Sequence, residues 1–249
     1  MPIAHELARQ PGTRSGTVVV AEAQTAGRGR QSRRWEAPPA QALLVRVLLQ
    51  PPIHVPVEQL PMAVGVAAAA AIESSQPRLA GHLGLKWPND LLVGTCMADA
   101  GKVGGILMEA RFDGGGLAHM VAGIGINVHQ HAADLPAPQP GAPPPASLDH
   151  FLERQGCGEA APLDRTALLI ALCRSLALHV SPAMNGSELL MRWRQRLWIL
   201  GEHVCLYERG EVVWSGRAVD VDADGQLVVV NGAGEARRFL AGDVSVRST

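Results

Sequence analysis

Residues 102–129, KVGGILMEARFDGGGLAHMVAGIGINVH, decide the architecture. Two long, mostly apolar stretches, Lys102–Phe112 and Leu117–His129, flank Asp113-Gly114-Gly115-Gly116. Glycines between two such runs close a β-hairpin. Outward from this hairpin, Thr17–Ala23 (TVVVAEA) and residues 42–50 (ALLVRVLLQ, stopped by Pro51-Pro52) read as further strands. His82–Lys86 and Leu91–Val93 read as strands on either side of Trp87-Pro88-Asn89-Asp90, and residues 95–101 as a hairpin tip. Glu58–Ser75 is an Ala-rich helix, and Ser147–Gln155, Leu163–Val180 and Gly186–Leu197 are three more. In the last of these, Leu189, Leu190, Trp193 and Leu197 recur at helical spacing and are read as core. Residues 130–146, with six prolines from Pro136 to Pro145, read as a stiff exposed loop. From Gly201 onward short strands alternate with glycine turns, the texture of a small five-stranded barrel-like module. The fold class is α+β: a mixed or antiparallel sheet with flanking helices over residues 1–199, then a small β domain over 200–249.

The composition narrows the function. The 249 residues carry 22 basic and 23 acidic side chains, a net charge of −1, with 47% hydrophobic residues. A neutral chain is not a general nucleic-acid or membrane-surface binder, which needs a basic excess. Cys96, Cys157, Cys173 and Cys205 form no C-x-x-C pair, so neither a disulfide framework nor a zinc site is expected. The opening MPIAHELARQPGT holds no apolar signal core, and a cytoplasmic location is expected. One count stands out: of the 22 basic residues only Lys86 and Lys102 are lysines. Lys is a compact point charge and Arg a bulky planar fork, so the two lysines are candidates for crowded sites that Arg does not fit.

Four segments carry chemistry. Gly27–Arg34 packs four arginines among glycines without an acid, and is read as a loop that orders around an anion or, alternatively, as a solvated basic loop. Lys86-Trp87-Pro88-Asn89-Asp90 places a cation, an amide and a carboxylate within five residues, suited to phosphate and its Mg²⁺ or, equally, to an Asx-turn. Lys102 is followed by Gly104-Gly105, where a flat ligand on the backbone or a bulge would explain the glycines. Gly123-Ile124-Gly125-Ile126-Asn127 repeats the small-residue logic on the next strand. His129 and His131 form an H-x-H pair without a third ligand and are read as surface residues. Trp87, Trp193 and Trp198 are assigned to packing, and Cys96 is read as an exposed thiol.

In this order the segments resemble the biotin protein ligase family, the biotin–[acetyl-CoA-carboxylase] ligases. Its hallmarks GRGR-x-G-R-x-W, KWPND, K-x-GGIL-x-E and G-x-G-x-N stand here as GRGRQSRRW (27–35), KWPNDLL (86–92), KVGGILMEA (102–110) and GIGINV (123–128). The resemblance implies a ligase-type catalytic domain followed by an SH3-like barrel. It implies ATP-dependent conversion of biotin to biotinyl-5′-AMP, then transfer to a lysine of the biotin carboxyl carrier protein of acetyl-CoA carboxylase. Lys102, Arg30 and Lys86 would then be catalytic. Gln24, Gly27, Arg28, Arg30, Lys102, Gly104, Gly105, Gly123 and Gly125 would bind biotin. Arg30, Arg33, Trp35, Lys86, Asn89, Asn127 and Arg247 would bind the nucleotide, with Asp90 on Mg²⁺.

Dimerisation through the central sheet is a further implication. No DNA partner is expected, because no helix-turn-helix precedes the catalytic segments, and no membrane partner, because the chain has neither a basic excess nor an apolar run long enough to span. Two departures set expectations. Ser32 replaces the motif's third glycine, which restricts the loop. Met1 stands where the family's first helix begins, without the preceding Ser-Thr hydroxyls, so weaker biotin binding than in an extended chain is expected. The alternatives are an impaired biotin or biotinyl-AMP binder, and a lipoyl or octanoyl attachment enzyme of the same superfamily.

Overall fold

The computed structural model describes residues 2–29, 34–156, 161–181, 184–241 and 245–248. Its first sheet has six strands: β1 (Val18–Ala21), β4 (Ala42–Leu49), β5 (Leu83–Lys86), β6 (Asp90–Val93), β7 (Gly101–Asp113) and β8 (Gly116–Asn127). They are arranged β1-β4-β8-β7-β6-β5, and every pairing is antiparallel. The β7–β8 turn has Gly114 and Gly115 at φ 55° and 91°, the two left-handed positions that a tight hairpin turn requires.

One face of the sheet packs against helix α2 (Leu60–Ser75), whose sequence LPMAVGVAAAAAIESS is apolar on nearly all sides. A helix of that kind is buried on every side. The helices α4 (Arg165–His179) and α5 (Gly186–Arg196) cover its far side, and α3 (Leu148–Arg154) precedes them. Leu43, Val45, Val47, Ile106, Ile124 and Ile126 point into this core. The other face carries the short helix α1 (Pro2–Leu7) at one end, where Ala4 packs on Leu48 and Val121. Toward its other end, that face is left open.

Residues 27–34, expected as a loop, begin and end in two strands, β2 (Gln24–Arg28) and β3 (Arg34–Ala37), paired antiparallel as a hairpin beside the open face. The second sheet, β9 (His203–Glu208), β10 (Glu211–Val221), β11 (Leu227–Val230), β12 (Ala236–Phe239) and β13 (Ser245–Ser248), is ordered β12-β11-β10-β9-β13. Its inward residues Val204, Leu206, Ala218, Val221 and Leu227 join the same core as Leu85 and Trp87, so packing is continuous across the change of texture near residue 200.

Candidate active site

Strand register assembles the site. Lys86 pairs with Asp90, Asp90 with Gly105, Gly105 with Gly125, and Gly125 with Leu44. Directly opposed residues share a face, so segments far apart in sequence form one row across five strands. The adjacent row is Arg46–Gly123–Leu107. Lys102 would lie on the wrong face in a regular strand. A β-bulge shifts the β6–β7 register between Leu91 and Leu92, opposite Gly104 and Lys102. It sends Val103 into the core and turns Lys102 onto the row, where its Nζ meets Asp90 Oδ1 at 2.5 Å.

These rows floor a cleft of about 360 Å³, walled by the β2–β3 hairpin, by residues 134–145 and by the end of β13. The glycines keep the floor flat. Trp35 lies on it: a Cβ at Gly125 would stand 3.0 Å from the indole, and one at Gly105 3.8 Å. Lys102 Nζ sits 5.8 Å from the Trp35 ring centroid, and the buried indole Nε1 has no acceptor among the described residues. Lys86 is only 4% exposed and donates to the Val246 carbonyl at 2.8 Å. The Arg247 guanidinium stacks 4.5 Å over the Tyr207 ring and borders the cleft. Among the described lining residues, cationic Arg46, Lys86, Lys102 and Arg247 face acidic Glu36, Asp90 and Asp134.

Most expected site residues therefore meet: Gln24, Trp35, Lys86, Asn89, Asp90, Lys102, Gly105, Gly123, Gly125, Asn127 and Arg247 all border the cleft. Gly104 does not. It is on the opposite face, where a Cβ would stand 2.7 Å from the Gly125 carbonyl oxygen and 2.8 Å from Leu91, so its smallness serves packing. Gly27 is also absent from the lining; a Cβ there would collide with the Trp35 carbonyl at 1.8 Å and with Gln24. Arg30 and Arg33 lie outside the described residues, and of Arg28 only the backbone pairing with Arg34 is described. Both asparagines already have internal work. Asn89 Nδ2 donates to Ile106 O at 2.7 Å; Asn127 Nδ2 donates to Ala146 O and its Oδ1 accepts from Gln130, both at 3.0 Å.

Three features escaped the sequence reading. The proline-rich segment, read only as an exposed loop, is a wall of the cleft, held by Lys102 N donating to Pro144 O and Ala146 N to Lys102 O. Gln130, 2% exposed, borders the cleft, and its Oε1 has no partner among the described residues. Arg46 was visible as the one charge in an otherwise apolar strand, ALLVRVLL. The packing assignments hold for Trp87, whose Nε1 donates to Gly225 O at 2.9 Å, and for Trp193. His129 bonds Asp149 at 2.6 Å.

Residues 2–127 match the biotin/lipoate A/B protein ligase family, and residues 199–247 match the biotin protein ligase C-terminal domain. The chain is 33% identical to the biotin–[acetyl-CoA-carboxylase] ligase of Mycobacterium tuberculosis over 92% of its own length and 78% of that protein. It is 36% identical to the bifunctional ligase/repressor BirA of Bacillus subtilis over 53% of its length, a match spanning 38% of that relative. The biotin protein ligase from Aquifex aeolicus, solved with biotin and ATP, shares the fold with a TM-score of 0.74 at 24% identity, covering 99% of this chain and 94% of that one. A point mutant of the same Aquifex ligase, solved with biotin, gives 0.73 at 25% identity, with the same coverage. Register, cleft and both sequence matches place this chain in the biotin/lipoate A/B protein ligase family, among its biotin protein ligases.

Proposed function

We propose that this chain condenses biotin with ATP to biotinyl-5′-AMP, releasing pyrophosphate, and passes the biotinyl group to one lysine of the biotin carboxyl carrier protein of acetyl-CoA carboxylase. The observation that carries this reading is the ammonium of Lys102, turned by a bulge onto a glycine-floored row beside Asp90. The Aquifex mutant of similar structure is a complex with biotin, and the mycobacterial relative is named for the carboxylase it serves.

The chemistry explains the charges. Attack of the biotin carboxylate on the α-phosphorus brings two anions together, and a fixed cation between them lowers the barrier. Lys102 takes that place, with Arg30 from the β2–β3 connection as the second cation. Lys86, Trp35 and Arg247 border the nucleotide end. Asn89 and Asn127, with their amides already bonded to backbone or to Gln130, shape its walls. Gly105, Gly123 and Gly125 form the floor under biotin, with Gln24 at its ring end.

Among the described residues no group of three or more His, Cys, Asp or Glu could cage a metal. One carboxylate, Asp90, fits Mg²⁺ that arrives on the triphosphate and takes most of its ligands from phosphate and water. Bound there, the ion would neutralise the leaving pyrophosphate. In the second half-reaction the carrier's neutral lysine amine attacks the mixed-anhydride carbonyl, the amide C–N bond forms, and AMP leaves with the electron pair of the broken C–O bond.

Pairing of two copies belongs to the same reading: among the described residues β1 is an edge strand of the central sheet. So does a cytoplasmic setting, where ATP is abundant and the exposed thiol of Cys96 stays reduced. No described helix is long and apolar enough to cross a membrane. The deciding experiment is intact mass of a biotin carrier domain after incubation with the chain, ATP, Mg²⁺ and biotin, with lipoate as control. One added biotinyl group, lost in Lys102→Ala and absent with lipoate, is the expected result; no addition overturns the reading.

A further inference from the structure

The cleft has a closed end, and one cation stands there without an assigned task. Arg46 is flanked along β4 by buried Leu44, Val45, Val47 and Leu48. It pairs with Gly123 on one side and Val19 on the other and borders the cleft. Because Gly123 has no side chain, nothing on β8 stands between Arg46 and the neighbouring strand. The next row, Leu48–Val121–Glu109, is roofed by Ala4 of α1, so the slot stops at Arg46. Along β7, Leu107 lies two residues, roughly 7 Å, beyond Gly105, next to Lys102. A ligand whose reacting carboxylate is held by Lys102 therefore brings its opposite end to Arg46.

The guanidinium is short of acceptors. Among the described residues its only hydrogen bond is a long one, from Nη1 to Val45 O at 3.3 Å. Burial lowers its pKa, and the negative charge of Glu109 pulls it partly back. Glu109 is itself fixed, accepting from His5 Nε2 at 2.8 Å. An apolar side chain at this position would pack at less cost than a half-buried cation. A cation kept there, with N–H groups open to a slot, calls for a ligand oxygen.

We propose that Arg46 reads the ring end of the substrate, donating to the ureido carbonyl oxygen of biotin, with Glu109 positioning it. This rests on the biotin ligase reading and adds the residue that sets ring selectivity. The dithiolane ring of lipoate offers no such oxygen, and 2-iminobiotin puts a donor where the acceptor belongs.

The test is titration calorimetry of biotin, dethiobiotin (which keeps the ureido oxygen) and 2-iminobiotin against wild type, Arg46→Ala and Arg46→Lys, with thermal melts to establish folding. A charge-assisted bond of this kind predicts a loss of about 10- to 100-fold for biotin and dethiobiotin in Arg46→Ala. It also predicts less than about a 3-fold change for 2-iminobiotin and partial recovery in Arg46→Lys. In carrier biotinylation KM should rise while kcat at saturating biotin stays within about 3-fold, as for a lost binding contact. Equal losses for all three ligands, or none, overturn the proposal; if Arg46→Ala does not fold, the ratios in Arg46→Lys decide it. A wild-type chain that neither binds biotin nor modifies a carrier overturns the ligase reading itself.

Discussion

Lys102 and Lys86 are the chain's only lysines beside 20 arginines, and their surroundings give a steric reason for both. Lys102 is wedged between the Asp90 carboxylate and the Trp35 ring, while Lys86 donates to a backbone oxygen of β13 from a buried position. A guanidinium is wider than an ammonium and carries five donors in a fixed planar fork, a poor fit to such crowded positions. Lys102→Arg should therefore keep the charge and lose the geometry. The expected outcome is a fall of about 10²-fold or more in the rate of pyrophosphate release, with Lys102→Ala lower still and melting temperatures nearly unchanged. A Lys102→Arg enzyme within a few-fold of wild type would mean that net charge alone matters there.

At the scale of the strand, alternation decides what a residue does, and Gly104 and Gly105 show it. Gly105 opens on the cleft, where an added methyl meets only ordinary contacts at 3.8–3.9 Å. Gly104 backs onto Leu91 and the Gly125 carbonyl at 2.7–2.8 Å. Gly104→Ala should cost about 1–3 kcal/mol of stability through backbone displacement. Gly105→Ala should melt like wild type yet bind biotin roughly 10-fold more weakly, because its methyl narrows the slot by about one buried group. Denaturant melts and calorimetry on the same two proteins separate the effects. The pair also shows what the sequence could carry. Glycines where something approaches the backbone were legible, but which of two neighbours faces the ligand depends on a bulge that no local pattern reveals.

Helix α1 offers a second element-scale test. His5 Nε2 donates to Glu109, which leaves His5 Nδ1 as acceptor for His119 Nε2–H at 2.8 Å. An added proton disrupts this clip. Burial, then the nearby charges of His5, Arg9 and Arg111, hold the His119 pKa below 6.5. The unfolded chain thus takes up this proton more readily than the folded one, and stability depends on pH accordingly. The contribution is complete above about pH 6.5 and is lost as the pH falls toward the depressed folded value. Melting temperature should drop between pH 7 and pH 5.5 in wild type and vary less in His119→Leu. Parallel curves for the two proteins would remove His119 as the cause.

Across the whole molecule, the second sheet completes the cleft as well as following it in sequence. Donors from the first part of the chain end on its carbonyls: Lys86 on Val246, Trp87 on Gly225, Gln59 on Ala223, and Arg194 on Val221 at 2.6 Å. Arg194 also bonds Asp220 at 2.9 Å. The change of texture near residue 200 was readable because hydrophobic period and glycine spacing are local. The proline segment's place in the wall was not, because it depends on pairing with Lys102 some forty residues earlier in the chain. If the second sheet holds Arg247 in place, loosening its attachment should act on the nucleotide more than on biotin. Arg194→Ala removes two of these bonds from a partly exposed position, at a cost of about 1 kcal/mol. KM for ATP should rise several-fold, while the Kd for biotin measured without nucleotide stays within about 2-fold, since Gly105, Gly123 and Arg46 all belong to the first sheet. Equal weakening of both substrates would show that the two sheets open the cleft as one unit, and an unchanged KM for ATP would show that Arg247 keeps its position without this anchor.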